Sequence, residues 1–463
     1  MTKDGNLSFP DRFVWGVATA AYQIEGHRRA DGGGECIWDV FARDGRTLNG
    51  DNGDIAADHY RRYPDDHALA RDLGFASFRM SFSWPRISPE GSTRRNQAGF
   101  DHYDRVLDSL LENGLTPMVT LYHWDLPQDL QERGGWLNRD TAYRFADHAG
   151  AVVEHFGDRV PFWITTNEPW SCAFLGHARG LHAPGMRDYH AAGIATHNLN
   201  LAHGLAVPAI RASTRDAQVG VTHCLQVIEP FSDSPDDVEA ARTVDGEANG
   251  LFLEPLLKGS YPAHMVPYLP CLEDDTVVRE GDLECISAPV DFLGLNYYVH
   301  EVVRFDRTIP IVHACRMAPL GPLTTIGSGL RPDGLEEILL KPGRDYGCRL
   351  PIYVTEVGYL FNDYVNPDGR VNDMARMRYY DEAFRAADRA MKKGVDLRGI
   401  YVWTLLDDFE WDSGYSSRYG IVFVEYGTQT RIPKDSAYWL RGVARRNGLS
   451  EPPGYRAPAK LAG

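Results

Sequence analysis

The sequence lacks several features that would assign the protein to a metal-dependent or disulfide-rich class. It contains no Cys-x-x-Cys pair, no His-x-His and no His-Glu-x-x-His, which argues against a structural zinc site and lowers the expectation of a metallohydrolase. Its seven cysteines are an odd number and widely scattered: Cys36, Cys172, Cys224, Cys271, Cys285, Cys315 and Cys348. This pattern is typical of reduced thiols in a cytosolic enzyme.

An excess of positive charge is also missing. The chain has 48 Lys and Arg residues against 64 Asp and Glu, a formal net charge of −16. Nucleic acid and anionic membranes are therefore not expected partners, because both require a positive surface. No run reaches the roughly 20 apolar residues that cross a bilayer, and residues 1–10 show no signal peptide. We therefore expect a cytoplasmic protein.

The 463 residues form a chain of ordinary globular composition, with 43% hydrophobic and 24% charged residues. No Ser/Gly-rich or Pro-rich linker and no repeat divides it. We therefore expect a single domain over 1–463, with a core at about 9–447 and a C-terminal tail at 448–463. The longest loops are expected at about 177–195 and 300–332.

Short apolar runs, most of them followed by amphipathic stretches, indicate repeated βα units around a parallel sheet. Amphipathic helices are predicted, for example, at 56–73 and 373–392. Eight strands are predicted, the number that closes a (β/α)8 TIM barrel, at 13–17, 77–82, 116–122, 162–166, 218–226, 292–297, 352–355 and 399–405. A doubly wound nucleotide-binding sheet is disfavoured because no Gly-rich turn follows the first strand.

Polar and aromatic residues follow the predicted strands, and the carboxyl ends of barrel strands are where active sites lie. Glu168 and Glu356 each close a strand that is otherwise apolar. A carboxylate in such a place is costly unless it is paired or functional. Two carboxyl groups accompanied by tryptophans and amides suit glycoside cleavage, in which one acid protonates the leaving oxygen and one carboxylate meets the anomeric carbon.

Several long segments resemble glycoside hydrolase family 1, the β-glucosidase family of retaining enzymes. They include FVWGVATAAYQIEG at 13–26, RMSFSWPRI at 79–87 and LYHWDLP at 121–127, and the similarity runs from Phe9 to Trp439. The resemblance implies that Glu168, in a Thr-Asn-Glu-Pro segment, is the general acid/base. It also implies that Glu356, in a Thr-Glu-x-Gly segment, is the nucleophile that forms a glycosyl-enzyme.

The resemblance further implies hydrolysis of a terminal, unphosphorylated β-D-glycosyl residue, with no cofactor and no metal. Arg79, Tyr298 and Asn296 are expected to support the nucleophile. The implied substrate-binding residues are Gln23, His123, Trp124, Asn167, Trp403, Glu410 and Trp411. A nearby guanidinium and a phenol favour an ionised Glu356, whose charge, roughly 5 Å away, favours a protonated Glu168.

Three positions depart from the pattern of the family. Val357 replaces the usual Asn after the nucleophile, from which we expect slower turnover of simple aryl glucosides. The segment at 327–329, with Ser328, replaces a Trp on the leaving-group side, from which we expect a preference for bulky or non-sugar aglycones. Asp408 replaces an Asn, which is expected to make the glycone end more negative and to repel phosphorylated sugars.

Other functions fit part of this pattern. A transglycosylase would use the same glycosyl-enzyme with an alcohol acceptor, and the sequence does not separate it from a hydrolase. A non-catalytic sugar-binding barrel predicts loss of a strand-end carboxylate, yet both are present. A metal-dependent amidohydrolase predicts histidines after the first strand, where residues 20–23 offer none. The expected partner is a small β-glycoside; a homo-oligomer is possible, and the aglycone and the preferred sugar stay open.

Overall fold

In a computed structural model, residues 6–91, 94–214, 216–317, 319 and 329–450 are described. Their strands are β1 Leu7–Ser8, β2 Val14–Ala18, β3 Ser77–Ser81, β4 Thr116–Tyr122, β5 Phe162–Asn167, β6 Gln218–Pro230, β7 Phe292–Phe305, β8 Ala314–Met317, β9 Ile352–Val357, β10 Leu397–Trp403, β11 Val422–Glu425, β12 Thr430–Pro433 and β13 Gly448–Leu449. Their α-helices are α1 Ala21–Ile24, α2 Ile37–Arg43, α3 His59–Asp72, α4 Trp84–Ile87, α5 Gln97–Glu112, α6 Gln128–Glu132, α7 Asp140–Phe156, α8 Tyr189–Ser213, α9 Pro235–Asp245, α10 Leu251–Lys258, α11 Asp282–Ile286, α12 Gly334–Tyr346, α13 Met374–Lys392 and α14 Asp435–Arg446.

Eight parallel strands close into a barrel. Their order around it is β6-β5-β4-β3-β2-β10-β9-β7, and β6 pairs with β7 to complete the ring. Helices lie between successive strands and cover the barrel from outside. The predicted (β/α)8 barrel is confirmed, and each of the eight predicted strands overlaps one of the observed barrel strands.

The hydrophobic pattern explains why these segments form these elements. Every residue of β4 after Thr116 is buried, as expected for a parallel strand covered on both faces. Along α13, Met377, Tyr380 and Phe384 are buried at helical spacing. The predicted helix at 373–392 is thus observed as α13, with Asp373 at its N-terminal boundary.

The inside of the barrel is filled by side chains. Met118, Ile164, Phe292 and Tyr353 form part of an apolar cluster there, so the barrel is a packed core below the site. Gly16 makes room for this packing, since a Cβ at that position would overlap the ring of Tyr401. The polar residues of interest therefore lie above an apolar floor.

Two of the predicted loops contain regular structure over part of their length. The predicted loop at 300–332 contains regular structure, because β7 continues beyond the barrel and pairs with β8 in an antiparallel hairpin. The predicted loop at 177–195 includes the first turns of α8. Near the ends of the described chain, β1 pairs with β13, and both strands lie outside the predicted core at 9–447. Residues 327 and 328 lie outside the described residues.

Among the described residues, no helix combines the length and the apolar character that a membrane span requires.

Val357, the residue that follows Glu356, is fully buried in the large apolar cluster that joins the strands to the surrounding helices. Its side chain therefore belongs to the hydrophobic core. The slower turnover that the sequence suggests for this position stays a prediction.

Replacing Val357 with Asn should destabilise the fold. The variant puts an amide into an apolar cluster, which costs about 2 kcal/mol when the amide finds no partner. Denaturant unfolding measures this change, and Val238→Asn, on the exposed side of α9, is the matched control, with an expected change within about 0.5 kcal/mol. Equal stability of the two variants would contradict the placement of Val357 in the core.

Candidate active site

The candidate residues lie within barrel strands or in the segments that follow the carboxyl ends of these strands. Arg79 is within β3, Asn296 and Tyr298 are within β7, and Glu356 is within β9. Asn167 and Trp403 are the last residues of β5 and β10. Gln23 lies in α1 after β2, His123 and Trp124 follow β4, Glu168 follows β5, and Glu410 and Trp411 follow β10.

A cavity of about 170 Å³ opens among these residues. Its lining includes most of the candidates: His123, Trp124, Asn167, Glu168, Tyr298, Glu356, Trp403, Glu410 and Trp411. Arg79, Asn296 and Gln23 are fully buried and do not line it. A wider surface groove of about 500 Å³ lies where β4 to β6 begin, with Thr116 and Pro161 in its lining. We take the smaller cavity as the site because it holds the two buried carboxyl groups.

The carboxyl group of Glu356 is held by two donors. The Arg79 guanidinium is fully buried and forms an ion pair with Oε1 through Nη1. The Tyr298 hydroxyl donates to Oε2 at 2.8 Å. Burial, followed by the charge of Glu356, raises the pKa of Tyr298 well above its usual range, so the phenol keeps its proton. These contacts favour an ionised Glu356.

Arg79 also fixes the orientation of two amide side chains. Its Nη2 donates to Oδ1 of Asn167 at 2.7 Å. A guanidinium only donates, so the Asn167 atom facing it is oxygen. Nδ2 of Asn296 lies 3.2 Å from the same oxygen, and Oδ1 of Asn296 accepts from Thr355 at 2.7 Å. The amide nitrogen of Asn296 is therefore the atom left to face Glu168.

Glu168 is surrounded differently. Its Oε1 accepts from Nδ2 of Asn296 at 2.6 Å, and its Oε2 accepts from the Ser171 hydroxyl at 2.9 Å. Its side chain forms no ion pair in the described part of the chain. Burial and the charge of Glu356 raise the pKa of Glu168 to about 7, although the Asn296 and Ser171 hydrogen bonds act in the opposite direction. Glu168 is thus suited to hold and release a proton near neutral pH.

Gln23 and Glu410 form a polar pair at another part of the site. Nε2 of Gln23 donates to the carbonyl oxygen of Phe409 at 3.1 Å and to Oε2 of Glu410 at 3.2 Å. Burial, followed by the charges of Asp412 and Glu356, raises the pKa of Glu410 to about 8. An amide beside a carboxyl group offers both donors and acceptors to adjacent hydroxyls.

Aromatic rings form one wall of the site. The ring of His123 is nearly parallel to Trp403, with centroids 5.9 Å apart, and to Trp411, with centroids 6.1 Å apart. Trp124 packs on Trp411 at 4.6 Å and donates from its indole nitrogen to the Asn167 carbonyl oxygen at 3.0 Å. Burial and then the charge of Arg79 lower the pKa of His123 well below its usual range, so its imidazole is neutral.

Three residues at the site have left-handed backbone conformations that non-glycine residues rarely adopt. The φ angles are 75° at Trp124, 47° at Glu168 and 49° at Trp411. Each costs about 1 kcal/mol or more and persists only where surrounding structure enforces it. The strained backbone thus coincides with three residues whose side chains are candidates for catalysis or sugar binding.

Several residues of the site were missed by the sequence analysis. Trp170, Ser171, Cys224 and Tyr419 line the cavity, and Thr355 orients Asn296. Ser171 follows Glu168 by three residues in the first turn of a π-helical segment, Ser171–Ala178. That proximity was the one signal available in the sequence for Ser171. Cys224 lies inside a strand and carries no comparable signal.

No group of three or more His, Cys, Asp or Glu side chains suited to a metal ion occurs in the described residues.

Comparison with known proteins identifies the relatives of this chain. The profile described as Glycosyl hydrolase family 1 matches residues 6–449. Beta-glucosidase A of Thermotoga maritima is 45% identical over 96% of this chain and 99% of that protein. Thermostable beta-glucosidase B of Thermobispora bispora is 47% identical over 96% of this chain and 92% of that protein.

A solved structure shows the same fold. The beta-glucosidase from Thermotoga maritima in complex with deoxynojirimycin aligns with a TM-score of 0.93 and 44% identity. The alignment covers 96% of this chain and 100% of that one. The similarity therefore extends over the barrel and its loops together.

The surroundings of the Asp408 carboxyl group disfavour the negative charge that was expected at this position. Its side chain is fully buried, and among the described residues no hydrogen-bond partner contacts either carboxyl oxygen. Burial raises the pKa of Asp408 well above its usual range, and the charges of Glu410 and Asp407 act in the same direction. The surroundings of Asp408 thus favour the neutral form of its carboxyl group over the charged form.

Replacing Asp408 with Asn should stabilise the protein, increasingly so as the pH rises. A raised pKa means that the folded state binds the proton more tightly than the unfolded state. The cost of keeping the aspartate buried therefore grows as the pH rises above the unfolded pKa of about 3.9. The asparagine has no such cost, so unfolding measurements should show a gain of about 1 kcal/mol or more at pH 7 and almost none at pH 4.

Asp407→Asn is the matched control. Asp407 is equally buried but pairs with Lys434 at 2.7 Å and Arg418 at 2.6 Å. Removing its charge leaves Lys434 less well compensated and should destabilise the protein by about 3 kcal/mol. A stability gain for Asp408→Asn that does not change with pH would show that the carboxyl group is not held neutral.

Proposed function

Because the chain belongs to glycosyl hydrolase family 1, we propose that it is a retaining β-glucosidase that releases a terminal, unphosphorylated β-D-glucosyl residue from an aglycone or a short oligosaccharide. The observation that carries this proposal is the unequal environment of two carboxyl groups in one cavity. Glu356 pairs with Arg79, whereas Glu168 receives hydrogen bonds from neutral groups and has a pKa of about 7. One carboxylate and one carboxylic acid are what double displacement requires.

In the first step of this mechanism, an oxygen of Glu356 attacks C1 of the sugar. The bond from C1 to the glycosidic oxygen breaks, and the proton of Glu168 moves to that oxygen as the aglycone leaves. The product is a glycosyl ester of Glu356. Its formation removes the negative charge of Glu356, which is one of the causes of the raised pKa of Glu168.

In the second step, Glu168 acts as a base. Its pKa falls once Glu356 is esterified, so the carboxylate can accept a proton from water. The water oxygen bonds to C1 and the bond from C1 to Glu356 breaks, which restores both carboxyl groups. A separation of roughly 5 Å between the two groups, as the retaining mechanism requires, is part of this proposal.

The remaining residues are proposed to bind the sugar. Gln23 and Glu410 are held side by side and suit two neighbouring hydroxyl groups. His123 and Asn167 offer further polar atoms, and Nδ2 of Asn167 lies 3.2 Å from Nε2 of His123. Trp403 and Trp411 supply flat apolar faces for the ring of the sugar. Arg79, Tyr298 and Asn296 act by orienting the two carboxyl groups.

We also propose a cytoplasmic location. All seven cysteines lie in the described part of the chain and are free thiols, which is the usual state in a reducing compartment. A thiol titration of the unfolded protein checks the redox state on which this location rests.

Azide should rescue the two glutamate variants with opposite stereochemistry. In Glu356→Ala, azide takes the place of the nucleophile and should give an α-glucosyl azide from an activated β-glucoside. In Glu168→Ala, azide attacks the glycosyl-enzyme and should give a β-glucosyl azide. Without azide, each variant should lose at least about 1,000-fold in activity on substrates that need the missing group. NMR of the products identifies the anomers.

Glu112→Ala, at the exposed end of α5, is the control and should retain wild-type activity. The same azide anomer from both variants would contradict the assigned roles.

Above about pH 7 the wild-type kcat/KM should fall, because Glu168 then loses the proton that it donates.

A phosphate at C6 of the sugar should greatly reduce activity. None of the described residues that line the cavity is a lysine or an arginine, so no cation there would neutralise a phosphate. Kinetics should give at least about 100-fold lower kcat/KM for an aryl 6-phospho-β-glucoside than for the free glucoside. Glu410→Ser should bring the kcat/KM values for the two substrates closer together, because it removes a carboxyl group from the site. Equal rates on the two substrates with the wild type would rule out the proposed glycone.

A further inference from the structure

Ser171 occupies a position beside the proposed acid that nothing above explains. Its hydroxyl lies 2.9 Å from Oε2 of Glu168, lines the cavity, and is 3% exposed. The backbone nitrogen of Ser171 also donates to the carbonyl oxygen of Glu168 at 2.9 Å, in a turn that keeps the two residues close together. A serine hydroxyl can donate or accept a hydrogen bond, whereas an amide nitrogen can only donate.

The hydrogen bonds of the neighbouring amides locate the proton of Glu168. Arg79 requires that an oxygen of Asn167 face it, and this requires that the nitrogen of Asn296 face Asn167. The same nitrogen donates to Oε1 of Glu168 at 2.6 Å. This short contact favours Oε1 as the carbonyl oxygen of the protonated acid. The hydroxyl oxygen is then Oε2, which faces Ser171 and can still accept from its hydroxyl through a lone pair.

We propose that Ser171 is a positioning residue for the acid step: its hydroxyl donates a hydrogen bond to Oε2 of Glu168 as negative charge develops there. This inference rests on the proposed function and adds a residue to it. As the proton passes from Oε2 to the glycosidic oxygen, the carboxyl group becomes a carboxylate. Asn296 donates to one of its oxygens and Ser171 to the other, so the acid releases its proton more readily.

Other titratable or charged groups also act on Glu168 or respond to it. They come from β3, β6, β7, β9 and the loops after β5 and β10: Arg79, Cys172, Cys224, Tyr298, Glu356, Glu410 and Tyr419. A variant at Ser171 leaves all of them in place. A change in the acid behaviour of Glu168 in that variant is therefore attributable to the missing hydroxyl.

The test compares Ser171→Ala with the wild type on two aryl β-glucosides. Phenyl β-glucoside needs a proton from the acid, whereas 2,4-dinitrophenyl β-glucoside has a leaving group that needs none. We expect kcat/KM to fall about ten-fold on the phenyl substrate and to change little on the dinitrophenyl substrate. The alkaline limb of kcat/KM should move to higher pH, because the ionised form of Glu168 has lost a donor.

Two further variants complete the experiment. Ser171→Cys restores a weak donor of similar size and should give a smaller effect on both measurements. Ser109→Ala removes a buried hydroxyl that contacts His67 on α3, away from the cavity, and should change neither. An unchanged alkaline limb in Ser171→Ala, with either no loss or an equal loss on both substrates, would overturn the proposal. If the wild type hydrolyses neither glucoside, the proposed function fails, and this inference fails with it.

Discussion

The constraint on which the site depends is that two buried carboxyl groups share one small cavity and cannot both be ionised without a large cost. The buried guanidinium of Arg79 resolves this by pairing with Glu356 and not with Glu168. Burial, and then the charge of Glu356, raise the pKa of Glu168 to about 7, so that one carboxyl group is charged and the other can hold a proton. The division of roles between chemically identical side chains thus follows from the position of one cation.

The same guanidinium organises the polar side chains around it. It fixes the amide of Asn167, which fixes the amide of Asn296, which in turn sets the oxygen of Glu168 that carries the proton. This chain spans β3, β5 and β7, which the barrel brings together at its carboxyl end. A fold of eight parallel strands is suited to this arrangement because each strand contributes one or two side chains to a common point.

Much of this arrangement was predictable from the sequence. The barrel strands are apolar runs of β-branched and aromatic residues, and Glu168 and Glu356 interrupt that pattern where a strand ends. The hairpin of β7 and β8 was not predicted, because its pairing depends on contacts beyond the regular βα unit. The raised pKa of Asp408 was also missed, since it depends on burial and on the charges of Glu410 and Asp407, which sequence spacing does not report. Ser171 was missed because its position three residues after Glu168 does not by itself show that its hydroxyl reaches the carboxyl group.

The stereochemistry of the first product tests the central claim most directly. Proton NMR of the enzyme acting on an aryl β-glucoside, recorded before mutarotation, distinguishes the two anomers of the released sugar. If Glu356 attacks C1 and water then displaces it, two inversions occur and β-glucose appears first. If α-glucose appears first, a single displacement has taken place, and the roles that follow from the pairing of Arg79 with Glu356 are wrong.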